Sequence, residues 1–242
     1  VSCIFKALQE EKKIGSKKIG ILGHSEGSII AAMVAAKNKE VAFAISMAGP
    51  GMAFDTLMLL QYQKIAEAAG AEEKEIKSNL ALNKSIFHAG LKDTDSVGFA
   101  NEIKDLVSKK LKQDSLGIPQ DSLSKLAGTI SAAYNTQINN PWWRYALSVN
   151  PLEEWAKVNC PVYIMSGYLD LQVPSSPNVL NIENVLNRNG NYSTLKKGYP
   201  GLNHLFQKCD TGAPSEYISG NLIFTTSVQN DIVDWLKGLW LE

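Results

Sequence analysis

With 242 residues, 45% of them hydrophobic, the chain suffices for one domain or for a core with an inserted subdomain. Its 24 basic and 24 acidic residues cancel and no basic block stands out, which argues against nucleic-acid binding. No apolar run approaches the ~20 residues of a membrane span, and the three scattered cysteines, Cys3, Cys160 and Cys209, lack the spacing of a zinc site or a disulfide framework.

From the N-terminus, residues 2–13 read as an amphipathic helix with Val1, Ile4, Phe5 and Leu8 on one face. A short apolar strand at 18–22 runs into Gly23-His24-Ser25-Glu26-Gly27, and an alanine-rich helix over 26–37 follows. Residues 41–47 are the next strand, ended by Gly49-Pro50-Gly51. The stretch 52–150 is polar and helical, with apolar residues at three and four spacings over 56–69, 72–91, 97–111 and 120–135. Asp121 or Ser122 is the expected cap of the last of these helices, just after Pro119. Trp142-Trp143-Arg144-Tyr145 closes the stretch; the two tryptophans, like Met52, Phe54 and Leu57 near its start, are candidates for a pocket wall or for simple packing.

The C-terminal part opens on a buried strand, Cys160-Pro161-Val162-Tyr163-Ile164-Met165-Ser166-Gly167, followed at once by a loop carrying Asp170. A helix at 182–189, a strand at 192–197 and the loop Gly201-Leu202-Asn203-His204-Leu205-Phe206 come next. A closing helix at 226–239 sets Val228, Ile232, Trp235, Leu236 and Leu239 on one face. The expected fold is α/β: a mostly parallel sheet of four strands flanked by helices on both faces, built from residues 1–51 and 151–242, with 52–150 inserted as a helical cap.

Strand, sharp turn and helix around Ser25 read as a nucleophile elbow. The glycines at 23 and 27 are expected to let backbone crowd a turn that would not admit a Cβ. A serine hydroxyl needs a base to take its proton, and in this arrangement an acid and then a histidine follow along the chain. Of three histidines, His24 lies inside the elbow with its side chain expected to point away from Ser25, as a possible pocket residue, and His88 lies in a polar helix. His204, on a loop near the C-terminus, has the right order. Asp170 sits where open α/β sheets gather functional groups, past the carboxyl end of a strand. Asp210, Asp231 and Asp234 are weaker candidates. The backbone N–H of Glu26 is the expected oxyanion donor.

The segments GHSEG at 23–27, SMAGP at 46–50, CPVYIMSGYLDLQVP at 160–174 and LNHLFQ at 202–207 resemble bacterial α/β-hydrolases, close to the carboxylesterases grouped with dienelactone hydrolases and to the acyl-peptidase-like serine hydrolases. The resemblance implies ester hydrolysis through an acyl-serine intermediate, with Ser25, Asp170 and His204 as the triad, a small-molecule ester as substrate and no cofactor. Acyl-peptidase or thioesterase chemistry, or a non-catalytic module that kept the triad by descent, are the alternatives. A metal-dependent hydrolase is disfavoured for want of clustered ligands.

The sheet of that family usually has eight strands with the elbow after the fifth, whereas here 24 residues precede Ser25, the chain opens on Val1 and it closes on Leu241-Glu242. The expectation is a C-terminal portion of a larger hydrolase, without the loop that normally supplies the second oxyanion donor. Loss of one such donor costs ~10²–10³ in turnover, so weak activity alone is expected, as is dimerisation or strand exchange through an exposed sheet edge. A soluble protein of bacterial cytoplasm or periplasm is expected, with the compartment left open.

Overall fold

The computed structural model describes residues 1–11, 18–92, 96–114, 119–219 and 223–239. They divide into two compact units: Val1–Met52 with Asn150–Glu242, and Ala53–Val149.

In the first unit, helix α1 (Ser2–Glu10) precedes β1 (Ile21–His24), α2 (Glu26–Lys37) and β2 (Ala44–Met47). The expected continuation of α1 through Lys12 and Lys13, and the terminal Leu241-Glu242, lie outside the described residues. The apolar face expected of α1 is seated at one point only: Phe5 is buried in the core, while Val1, Ile4 and Leu8 are exposed. β1 starts later than its apolar run, but pairing reaches back beyond it, since Ala42 N–H donates to Ile19 O at 2.9 Å.

The second unit comprises α3 (Phe54–Ala68), α4 (Glu73–Lys92), α5 (Ser96–Asp114), α6 (Gln120–Ile138) and α7 (Pro141–Ser148). Its core gathers Ile86, Phe87, Phe99, Ile103, Val107, Ala127 and Ile138. Tyr134 Oη donates to Asn83 Oδ1 across α4 and α6 at 3.1 Å. Neither Asp121 nor Ser122 caps α6: the cap position is Pro119, whose ring fixes φ at −56°, so both residues fall inside the first turn. The α7 start follows a different rule. Asn140 accepts from Trp142 N–H at 2.8 Å and Pro141 occupies the first helical position.

The chain returns to the first unit with α8 (Pro151–Trp155), β3 (Val162–Gly167), α9 (Ser175–Arg188), β4 (Thr194–Tyr199), α10 (Glu216–Ser219) and α11 (Thr226–Gly238). The described sheet holds four strands in the order β1-β2-β3-β4, all parallel. Alternation along the strands feeds two cores. Ala44, Val162 and Ile164 pack with α2, α8 and α9 around the fully buried Trp155. Ile45, Met47, Tyr163 and Met165 pack on the other face with Phe206, Val228, Ile232 and Trp235. Helices thus cover both faces, as a parallel sheet requires.

The strand ends form one rim, and backbone strain collects there. The three non-glycine residues with positive φ among those described are Ser25 (55°) just past β1, Ala48 (47°) just past β2, and Phe206 (56°) in the loop after β4. Such conformations cost of order 1–3 kcal/mol each and persist where the surroundings impose them.

Candidate active site

Ser25 is the hinge between β1 and α2. At φ 55° and ψ −122° it is in a region that side-chain-bearing residues rarely adopt. Its N–H continues the sheet by donating to Met47 O at 2.9 Å, and its carbonyl accepts from Ser28 N–H at 2.9 Å to open the helix. A strand bond on one side and a helix bond on the other leave the chain one residue in which to turn. Gly23 makes that possible: a Cβ there would lie 1.9 Å from Gly27 O and 2.6 Å from Ser28 N. The crowding expected at Gly27 itself is not found, since a Cβ at Gly27 would meet nothing within 4 Å. The elbow is tight on one side only, because the Gly27 carbonyl presses on Gly23 while the Cα of Gly27 faces open space. Glu26 is the first residue of α2, where backbone N–H groups and the helix dipole favour negative charge.

Asp170 and His204 are brought together from loops after β3 and β4. His204 Nδ1 lies 2.8 Å from Asp170 Oδ2, and both side chains are buried. Asp170 Oδ1 accepts from Gln172 N–H at 2.9 Å and Val173 N–H at 2.8 Å, which fixes the carboxylate plane. A carboxylate only accepts, so Nδ1 carries the proton and Nε2 of the neutral ring presents its lone pair. Among the described residues no hydrogen bond joins the Ser25 hydroxyl to His204.

The two loops are knitted backbone to backbone. Leu169 N–H donates to Leu202 O at 3.0 Å. Gly167 admits that approach, since a Cβ there would stand 2.2 Å from Leu202 O and 2.6 Å from Asn203 O. Buried Asn203 then turns the chain, its Oδ1 accepting from Leu205 N–H at 2.9 Å and Gln207 N–H at 3.0 Å. Phe206 O accepts from both the N–H and the hydroxyl of Thr225, just before α11.

His24 is the residue whose part is invisible in sequence. Its Nε2–H donates to His204 O at 2.8 Å across 180 residues. Its ring centroid lies 4.7 Å from that of His204 and 6.3 Å from that of Phe206. Burial holds its imidazole below the ordinary range; the bond to His204 O opposes that shift without cancelling it. His24 also lines an apolar recess of about 450 Å³ with Leu22, Met47, Leu205, Phe224 and Ile232.

The remaining candidates lie elsewhere. His88 is exposed on α4, and Asp210 and Asp234 are exposed. Asp231, on α11, accepts from Tyr199 Oη at 2.8 Å and pairs with Lys197 at 2.7 Å. Met52 is buried in the first unit. In the second unit Trp143 stacks on Phe87 at 6.1 Å and meets Phe54 at 5.0 Å, while Trp142, half exposed, stands edge-on to both Phe54 and Trp143. Among the described residues no group of three or more His, Cys, Asp or Glu is placed to hold a metal ion, and no helix is long and apolar enough to cross a membrane.

A family model described as BAAT / Acyl-CoA thioester hydrolase C terminal matches residues 5–116, the part that contains the elbow. Over that stretch the chain is similar to the C-terminal part of acyl-CoA thioester hydrolases. That match supports an enzyme of hydrolase type. Solved hydrolases similar to this chain include the α/β-hydrolase enzyme MGS-M2 from a Medee basin deep-sea metagenome library, at 14% identity and TM-score 0.44, covering 100% of this chain and 70% of that one. The monoacylglycerol lipase of Paleococcus ferrophilus is similar at 13% identity and TM-score 0.43, covering 98% and 74%. The acylaminoacyl peptidase of Pyrococcus horikoshii is similar at 13% identity and TM-score 0.42 over 84% of this chain, which spans 22% of that protein. Among curated proteins none matches the chain.

Proposed function

We propose that this hydrolase cleaves carboxylic esters through an acyl-serine intermediate. Ser25 attacks the carbonyl carbon and passes its proton to Nε2 of His204. Asp170 holds the ring in the required tautomer and stabilises the imidazolium. The Glu26 N–H, at the head of α2, faces the developing oxyanion. His204 then returns the proton to the leaving alkoxide, and water repeats the sequence on the acyl-enzyme.

The observation that carries this reading is the buried Asp170–His204 pair, set beside a strained serine turn on the same sheet rim. The test is hydrolysis of p-nitrophenyl esters of short and medium acyl chains, with Ser25→Ala as control. Turnover that survives in Ser25→Ala would remove the serine from the mechanism.

Acyl thioesters are a second substrate class, favoured by the thioester-hydrolase family match over residues 5–116. The same three side chains serve both leaving groups, so chemistry at the serine does not separate them. Matched oxygen and sulfur esters of one acyl chain would. As part of the same proposal, residues 52–150 are a helical cap insertion. Their insertion between β2 and β3, just past a strand end, supports that role.

A further inference from the structure

We propose that His24 is a positioning residue, its Nε2–H holding the backbone carbonyl of His204 and thereby fixing where the His204 imidazole stands. This rests on the reading of His204 as the base. The carbonyl oxygen only accepts, so the 2.8 Å contact makes Nε2 of His24 the donor. Its loop is fastened by other bonds at Leu202, Asn203 and Phe206. Asp170 holds the His204 ring, and the bond from His24 holds the His204 main chain.

The value of that grip lies in where it comes from. His24 is the residue before Ser25, on the last position of β1. The strand end that delivers the nucleophile therefore also holds the base, and their separation is set across one peptide unit. A misplacement of about 1 Å between reacting groups costs of order 10² in rate, so a tie this short is a direct way to keep the pair in register. The packing of the rings, with centroids 4.7 Å apart and planes tilted by 51°, adds a steric stop. Burial keeps His24 uncharged at neutral pH, so the imidazolium that forms on His204 during attack meets no second positive charge.

Two substitutions separate bond from bulk. His24→Phe keeps a ring and removes the N–H; His24→Gln keeps an N–H at similar reach and removes the ring. Turnover of a p-nitrophenyl ester is read together with the low-field proton NMR signal of the Nδ1–H shared by His204 and Asp170, which exists without turnover. In His24→Phe, kcat is expected to fall about tenfold or more, with KM little moved and the low-field signal shifted or broadened. His24→Gln is expected to recover most of the loss and the signal. Should the phenyl variant not fold, His24→Ala carries the same comparison. An unchanged kcat and an unchanged signal in the variant without the N–H would overturn the clamp and leave the esterase reading standing. A perturbed signal in a protein that hydrolyses no ester or thioester and whose Ser25 reacts with no acylating probe would uphold the clamp and sink the esterase reading.

Discussion

The carbonyl oxygen of Gly27 lies 1.9 Å from where a side chain on Gly23 would begin, while a Cβ on Gly27 would meet nothing within 4 Å. The two glycines of the elbow are thus unequal. Gly23→Ala is expected to destabilise by about 3 kcal/mol, because backbone, not a flexible side chain, must move. Gly27→Ala is expected to be neutral or stabilising by up to about 1 kcal/mol, since alanine suits the first turn of α2 better. Urea unfolding of the two variants checks both signs.

Asp170→Asn is the sharper probe of the imidazole pair. The amide oxygen can still accept from Gln172 and Val173 N–H. That leaves the amide NH₂ facing His204 Nδ1, so the ring must present a lone pair there and carry its proton on Nε2. Such a tautomer cannot take a proton from serine. Ester turnover is expected to fall by about 10³–10⁴, with the melting temperature little changed. A loss under tenfold would show that Asp170 does not set the tautomer.

Gly167 holds the Asp170 and His204 loops close. A methyl there would push against Leu202 O and Asn203 O, so Gly167→Ala is expected to cost about 1–3 kcal/mol in denaturant unfolding. It is also expected to lower kcat more than it raises KM, because it displaces the base and not the substrate.

The lowered imidazole of His24 gives a pH signature. Its ordinary value is 6.5, and burial lowers it in the folded protein, with His204 and Asp170 as the titratable groups acting on it. As pH falls, the unfolded chain takes up this proton first. Stability present above about 6.5 is therefore lost as pH falls toward the folded value, and no further loss follows below it. The melting temperature is expected to fall more steeply between about pH 8 and about pH 5 in the wild type than in His24→Gln. Parallel slopes would contradict this.

Much of the architecture was legible because periodicity is local. The four parallel strands and both flanking layers follow from apolar runs and their spacing. The positions of Ser25 at a strand-to-helix turn and of Asp170 just past a buried strand could be read the same way. The grip of His24 on His204 was not legible, because it spans 180 residues and depends on how two loops meet. The start of α7 and the whole of α8 are not legible in sequence, although Asn140-Pro141 and Asn150-Pro151 open them with a capping side chain and a proline at the first position; the pairs resemble turn signals equally well. β4 runs to Tyr199, two residues past its expected end, because Gly198 gave no strand signal although it pairs with Ser166.

The most direct test of the account is covalent labelling with a fluorophosphonate probe, read by mass spectrometry of the peptide that contains residue 25. The expected result is one adduct on Ser25, absent in Ser25→Ala and formed much more slowly in His204→Ala. A folded wild-type chain that takes up no probe, or takes it up on another residue, would contradict it.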